Sequence, residues 1–168
     1  MIIETQRLKL IPLTHNQLKL YLEQNILLND ELEIKINKLD LHPELSEAIE
    51  QTLLPNTSAQ KKNYLHCTLW AMILIENNVM IGSFLFADTP NAAGEIEIGY
   101  GIDVAYRNRG YLSETLAAVA AWTKTQPEIK MIIAQTDENN LPSVQALIKN
   151  KFVQYKKQES QVWFKYDC

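Results

Sequence analysis

Residues 95–114 read EIEIGYGIDVAYRNRGYLSE, and this stretch decides the fold of the chain. Its first eight residues alternate polar and apolar side chains, which is the period of a half-buried β-strand. A loop with two arginines follows, and apolar residues from Leu112 to Thr123 then recur along one face of a helix. Residues 131–136 form the next short, buried-type strand. A strand, a crossover helix and a second strand predict a βαβ unit with two parallel strands.

On both sides of this unit, alternating segments predict further strands and helices. Pro12 predicts that the first strand lies at a sheet edge, and the pair Asn77-Asn78 suits a tight hairpin. The predicted fold class is therefore α/β, a mixed sheet with flanking helices, in one domain over residues 1–168. The additional strands are predicted at residues 6–13, 68–75, 80–87, 152–155 and 161–166, and the helical segments at 14–26, in pieces of 30–66, and at 142–150.

Composition narrows the classes of function. The 168 residues carry a net charge of −4, which argues against general nucleic-acid binding because that needs a basic face. The two cysteines and three histidines have neither disulfide-framework nor metal-ligand spacing, so no metal site is predicted. The N-terminus lacks an apolar signal core, and the longest apolar run, residues 69–75, is too short to span a bilayer. These features predict a cytoplasmic protein with no nucleic-acid or membrane partner.

The loop at residues 106–114, YRNRGYLSE, joins the end of a strand to the start of a helix. Backbone N–H groups and the dipole at a helix N-terminus attract anions. Gly110 permits close backbone approach, and Arg107 and Arg109 add positive charge. The pattern is neither GxxxxGK[ST] nor GxGxxG. The residues fit a diphosphate cradle and fit an arginine-rich turn capping an ordinary helix equally well.

The segment RNRGYL, residues 107–112, resembles the [QR]xxGx[GA] acetyl-CoA motif of the GNAT superfamily, with Leu112 in place of the usual Gly or Ala. Other segments resemble, in family order, the branch related to ribosomal-protein N-terminal acetyltransferases. The chain is thus identified as a member of this superfamily, which implies a GNAT-like sheet with a splayed parallel strand pair. The matching segments are TQRL at 5–8, Ile81-Gly82, EIEIGYGID at 95–103, RGYLSE at 109–114 and NLPSVQALIKNKF at 140–152.

The resemblance implies an N-acetyltransferase in which a primary amine attacks acetyl-CoA directly. The acceptor is either a protein N-terminus or a small amine, and dimers common in this branch make a homodimer possible. Glycines around Tyr100 would mark a bulge or a close backbone approach in the first splayed strand. The implied cofactor-binding residues are Ile102, Val104, Arg107, Asn108, Arg109, Gly110, Tyr111, Leu112, Ser113, Asn140 and Ser143.

Three residues form the predicted catalytic set. Glu97 matches the family's EIGY element and shares a strand face with Glu95, so it is the predicted general base; the alternative is a solvated surface carboxylate. Ser143 matches a family serine that would donate to the leaving thiolate, although Asn140 and Ser143 also suit the cap of the following helix. Tyr100 completes the set.

Two departures from the family pattern leave other functions open. Leu147 stands where many members have a tyrosine that acts as general acid toward the leaving thiolate. Lys151 stands where the family has glycine. A catalytically inactive acyl-CoA-binding sensor of the same fold is therefore the alternative to the enzyme. A third hypothesis is a protein-interaction module whose loop binds phosphate but not acetyl-CoA.

Overall fold

The computed structural model describes residues 1–36, 41–58 and 64–168. The strands are β1 (Ile3–Glu4), β2 (Leu8–Pro12), β3 (Lys35–Ile36), β4 (Leu69–Leu74), β5 (Val79–Phe86), β6 (Glu95–Ile102), β7 (Met131–Asp137), β8 (Val153–Gln158) and β9 (Gln161–Asp167). The α-helices are α1 (His15–Leu22), α2 (Leu27–Leu32), α3 (Pro43–Ala48), α4 (Leu54–Ser58), α5 (Tyr111–Thr123) and α6 (Leu141–Lys149). A π-helical segment, Ile49–Leu53, joins α3 to α4, and 3₁₀ turns lie at Tyr64–His66 and Val104–Tyr106.

The strands form one mixed sheet, as predicted. Their order within the described residues is β1-β2-β4-β5-β6-β7-β9-β8, with β3 beside β5. The prediction that the first long strand lies at the edge is wrong, because the two residues of β1 pair with Lys9 and Leu10 on its outer side. Pro12 lies beyond that pairing, at the end of β2 opposite Trp70. A strand as short as β1 has too few residues to show a period in the sequence.

The predicted βαβ unit is confirmed, and its two strands splay apart. Strands β6 and β7 are parallel and pair from Glu95–Met131 to Ile98–Ala134. Both strands continue past this point, to Ile102 and Asp137, without pairing to each other. The gap between them is therefore open at the carboxyl ends of both strands.

No bulge interrupts β6 at its glycines. Its antiparallel register with β5 is regular from Ile98 to Ile102, so the predicted bulge is wrong. The glycine whose missing side chain permits a close approach is Gly82 of β5, since a Cβ there would collide with the carbonyl oxygen of Gly101. At the β6 glycines themselves a Cβ on Gly101 would have open space, and one on Gly99 would make an ordinary contact with Leu85 Cδ1 at 3.9 Å. The parting of β6 from β7, rather than a bulge, is what opens the backbone of β6.

Each face of the sheet has its own core. Helices α5 and α6 cover one face, where Trp70, Phe84, Phe86 and Trp122 form a buried aromatic cluster. Helices α1 and α2 and the π-helical segment cover part of the other face through Leu18, Leu28, Ile49 and Leu53, among other buried residues. The strand residues divide between the two cores because side chains alternate across a sheet.

His66 is a buried polar residue within the aromatic core. It is 1% exposed, and its ring lies 5.7 Å from that of Trp122 and 6.1 Å from that of Phe86, centroid to centroid. Neither ring nitrogen of His66 has a hydrogen-bond partner within the described ranges. Burial lowers the pKa of His66, and the charge of Glu128 offsets only part of this effect.

This burial predicts a loss of stability in acid. Below the ordinary histidine pKa of 6.5 the unfolded chain binds a proton that the folded protein resists, so the free energy of unfolding falls as the pH falls. We expect His66→Phe to flatten the dependence of the melting temperature on pH between about pH 6.5 and 5. The exposed His42 supplies the control variant His42→Gln. Equal slopes for wild type and His66→Phe would contradict the prediction.

Candidate active site

Two predicted catalytic side chains meet where β6 and β7 separate. Tyr100 lies in β6 two residues after the last pair with β7, and Ser143 lies in the first turn of α6, the helix that follows β7. Their hydroxyl oxygens, Tyr100 Oη and Ser143 Oγ, are 2.9 Å apart. Ser143 is 3% exposed. Burial raises the pKa of Tyr100, while the hydrogen bond with Ser143 lowers it in part, and the net shift is upward. The phenol is therefore protonated at neutral pH and able to donate.

The backbone of β6 also faces this gap. The carbonyl of Glu97 and the N–H of Asp103 bond toward the β5 side of the strand. Backbone groups of successive strand residues point to opposite edges, so those of Tyr100 and Ile102 point toward the gap. The Ile102 carbonyl accepts a 2.9 Å bond from Arg107 Nε. This edge thus offers main-chain hydrogen-bonding groups to an extended ligand.

The arginine-rich loop turns into α5 through two residues with left-handed backbone conformations. Asn108 has φ 60°, and Gly110, the N-cap of α5, has φ 81°. Arg107 and Arg109 are exposed, and the guanidinium of Arg109 lies 5.7 Å from the ring centre of Tyr106. Cations therefore surround the amino end of a 13-residue helix, an arrangement that suits a bound anion.

The remaining predicted cofactor residues border the same loop and gap. Val104 is 71% exposed in the 3₁₀ turn that follows β6, and Leu112 is half-buried in the first turn of α5. Ser113 accepts a 3.0 Å hydrogen bond from Asn150 Nδ2. Asn140 is exposed and caps α6, with its side chain accepting from the Ser143 N–H at 3.4 Å. Asn140 thus has the capping contact, whereas the Ser143 hydroxyl is directed to Tyr100.

A third arginine at the loop was missed in the sequence. Arg7 Nη1 donates to the carbonyl of Arg109 at 3.1 Å, and its guanidinium carbon lies 4.5 Å from the ring centre of Tyr111. The TQRL match contains this residue, but no local pattern links it to a loop about a hundred positions away. The sheet brings them together because β1 and β2 lie beside the start of α5.

Glu97 lies apart from the Tyr100–Ser143 pair. It is exposed, and three positions separate it from Tyr100, so the two side chains project from opposite faces of β6. Burial raises the pKa of Tyr155, and the charges of Glu95 and Glu97 raise it further, which places both carboxylates near this tyrosine of β8. The predicted base therefore lies on the sheet face opposite α5 and α6.

The two family departures have structural counterparts. Leu147, where the resemblance implied a tyrosine, is fully buried in the core beneath α6. Lys151 adopts φ 66°, a left-handed conformation that glycine accommodates more readily. The turn after α6 thus keeps the backbone shape suited to the family glycine although a side chain is present.

A cavity of about 570 Å³ lies between α1, α3 and the strands β5 and β6. It reaches the same segment of β6 that borders the gap, and its polar lining residues include Tyr21, His42, Glu44, Ser83 and Asp103. The Tyr21 phenol is hydrogen-bonded to Ser83, and burial, with the charge of Asp103 adding to it, raises the Tyr21 pKa to about 12. The cavity has the size of a small-ligand site with a few polar groups.

Comparison with known proteins identifies the family. The model of the acetyltransferase (GNAT) domain matches residues 7–153. The chain belongs to the GNAT acetyltransferase family. This confirms the resemblance seen in the sequence, and the splayed parallel pair agrees with the predicted GNAT-like fold.

One curated protein is similar to this chain in sequence, and solved structures are similar to it in fold. An uncharacterized N-acetyltransferase of Bacillus subtilis, YjdG, is 27% identical over 95 residues, 56% of each protein, so the match spans little more than half of that relative. A ribosomal L7/L12 alpha-N-protein acetyltransferase solved with coenzyme A has a TM-score of 0.68 at 14% identity, covering 99% of this chain and 98% of that one. A ribosomal-protein-S5-alanine acetyltransferase of Vibrio fischeri has a TM-score of 0.68 at 12% identity, covering 99% and 96%. At these identities the structures share the fold.

The described residues lack two further kinds of feature. They contain no group of three or more His, Cys, Asp or Glu side chains able to hold a metal ion. None of their helices combines the length and hydropathy needed to cross a membrane.

Proposed function

We propose that this GNAT protein transfers the acetyl group of acetyl-CoA to a primary amine by direct attack. The observation that carries the proposal is the Tyr100–Ser143 hydrogen bond at the open end of the splayed strands. The cavity adjoins the cationic loop, because Arg107 belongs to its lining, and it borders the same segment of β6 as the pair. This suits a reaction between a phosphate-bearing donor and an acceptor bound beside it.

The chemistry of the site fits acetyl-CoA. The N-terminus of α5, with Gly110 in a left-handed conformation and two neighbouring arginines, suits the diphosphate. The backbone groups of Tyr100 and Ile102 that face the gap suit the amides of the pantetheine arm, and Val104 continues this edge. Asn108, Tyr111, Leu112, Ser113 and Asn140 remain proposed contacts of the same ligand.

The proposed reaction has two proton requirements. A neutral amine forms a C–N bond with the thioester carbon, the C–S bond breaks, and sulfur leaves with the electron pair. The amine must lose a proton and the sulfur must gain one. Tyr100, kept protonated by its raised pKa, supplies the proton toward the sulfur, and Ser143 holds the phenol in place and relays a proton to it. Backbone N–H groups facing the gap stabilise the developing oxyanion.

We place the acceptor in the cavity between α1, α3 and β6. Its lining holds the carboxylates of Glu44 and Asp103 against the guanidinium of Arg107, a balance that still favours a cationic molecule, and an amine is a cation before it is deprotonated. An α-amino group, with a pKa of about 8, needs less help at pH 7 than a lysine of about 10.4. A protein N-terminus and a small amine both meet this description, and the ribosomal-protein acetyltransferases among the structural neighbours make the first a natural starting substrate.

Acetyl-CoA binding is the first test, and Gly110 supplies the variant. Acetyl-CoA at 100 times its Kd is expected to stabilise the fold by about 2.7 kcal/mol, seen as a rise in Tm. Gly110→Val should abolish this rise, because the side chain blocks close approach and disfavours φ 81°. Asn78→Val is the control, since the exposed Asn78 has a left-handed φ of 53° in the β4–β5 turn, away from the loop. An unchanged Tm of the wild type in millimolar acetyl-CoA would exclude both the enzyme and the sensor.

Thioester cleavage with a panel of amines separates enzyme from sensor. We expect Tyr100→Phe and Ser143→Ala to keep CoA affinity and to lower kcat about a hundredfold, the usual range for losing an acid. Tyr166→Phe and Ser160→Ala, at positions outside the gap, are the control substitutions. A wild type that binds acetyl-CoA and acetylates no amine would favour the sensor, and wild-type rates in both site variants would remove the pair from the mechanism.

Glu97 remains the proposed general base. It acts through water, because its side chain and that of Tyr100 project from opposite faces of β6. On this proposal Glu97→Gln lowers kcat at pH 7 by at least about tenfold and recovers toward wild type at high pH, where the amine is already neutral. Glu95→Gln is the control on the same strand face. Asp103→Asn tests the carboxylate in the cavity lining instead. A pH–rate profile that changes only in Asp103→Asn would transfer the role to Asp103.

A further inference from the structure

The carboxylate of Glu114 ties the first turn of α5 to the amino-terminal segment. Its Oε2 lies 2.7 Å from both Nε and Nη2 of Arg7. Its Oε1 accepts from the Arg7 backbone N–H at 2.8 Å and from the Thr5 hydroxyl at 2.6 Å. The two ends of this contact are 107 positions apart along the chain. We call Arg7 and Glu114 the clasp.

The clasp also holds the backbone of the cationic loop. Arg7 Nη1 donates to the carbonyl of Arg109 at 3.1 Å. The peptide unit that joins Arg109 to Gly110 is planar and trans, so its carbonyl and its N–H point in opposite directions. With the carbonyl directed to Arg7, the Gly110 N–H is directed away from it. Arg7 therefore sets the orientation of the first N–H group at the amino end of α5.

Charge gives the clasp a second effect on the loop. Glu114 is a carboxylate in the first helical turn, where it would repel a bound diphosphate. Burial by itself would raise the Glu114 pKa, but the hydrogen bonds from Thr5 and Arg7 and the Arg7 charge together lower it. The carboxylate is ionised at neutral pH, and the adjacent guanidinium compensates its charge. The side chain of Arg7 is 43% exposed and that of Glu114 is 17% exposed, so the cation is on the solvent side.

We propose that Arg7 is a positioning residue for the diphosphate of acetyl-CoA, acting through the Arg109–Gly110 peptide and through Glu114. The inference rests on the proposed function of the loop. Its specific consequence is selectivity for donors that carry a diphosphate. Removing Arg7 disorganises the anion site and leaves Glu114 uncompensated there, whereas the gap between β6 and β7 is unaffected.

Two thioester donors test this role. Acetyl-CoA has the diphosphate, and S-acetylpantetheine has the same thioester without it. We expect Arg7→Ala to raise KM for acetyl-CoA about tenfold or more, with kcat changed by less than about threefold, because charge-assisted contacts that organise the site are lost. The kcat/KM for S-acetylpantetheine should stay at the wild-type value. Calorimetry with CoA alone should show the same weakening of Kd without any turnover.

Conservative and double variants separate positioning from stability. Arg7→Lys keeps the charge but cannot reproduce the paired contacts to Glu114 and Arg109, so we expect an intermediate KM. Glu114→Gln loosens Arg7 but also removes a charge that repels the diphosphate, so we expect it to weaken CoA binding less than Arg7→Ala does. Because both substitutions break the same contact, the double variant should lose less affinity than the product of the single effects. Lys157→Ala, which breaks the exposed Lys157–Glu138 pair, is the matched control.

Three results would overturn the inference. These are equal losses with both donors, an unchanged CoA Kd together with a lowered Tm, and independent effects of the two clasp substitutions. Circular dichroism checks that each variant is folded, and Arg7→Lys decides the matter if Arg7→Ala is not. A wild type that cleaves neither thioester would refute the proposed function, and the CoA calorimetry would still test the clasp.

Discussion

The parting of β6 from β7 after Ile98 and Ala134 is the constraint on which the rest of the site depends. Each strand keeps another partner beyond that point, since β6 continues beside β5 and β7 continues beside β9. The two strands can therefore diverge without leaving either one unsupported. The gap leaves backbone N–H and C=O groups of β6 without a neighbouring strand to pair with. A ligand with amide groups can form hydrogen bonds with them.

On the proposed function, the two sides of the sheet divide the reactants. Helices α5 and α6 on one face bring the cationic loop and Ser143 to the gap, and α1 and α3 on the other face enclose the cavity. Tyr100 lies between them because its side chain belongs to the α6 side while its backbone borders the cavity. Strand β6 stays paired with β5 as far as Ile102, beyond the point where it parts from β7. On that proposal, the donor in the gap and the acceptor in the cavity meet at this segment of β6.

The clasp connects the beginning of the chain to this arrangement. Arg7 and Thr5 lie on the segment between β1 and β2, at the far side of the sheet order from β6. Their contacts to Glu114 reach over the sheet to the start of α5, so the loop is held from outside its own βαβ unit. This contact from a distant segment fixes the orientation of the Arg109–Gly110 peptide at the start of α5. A loop held only at its two ends would lack that constraint.

The sequence by itself determined the βαβ unit, the loop at residues 106–114, the helices α5 and α6 and the family, because period, glycine position and motif order are local properties. It also gave Tyr100 and Ser143, separately, as predicted catalytic residues. Only the tertiary structure decided that these two hydroxyls meet across 43 positions, that Arg7 joins the loop, and that Glu97 lies on the opposite face of β6. It also placed β1 outside β2, where a strand of two residues leaves no period to read. Contacts between distant segments depend on the order of the strands in the sheet and on where paired strands separate. Neither feature can be predicted from a short stretch of sequence, because both depend on residues far apart in the chain.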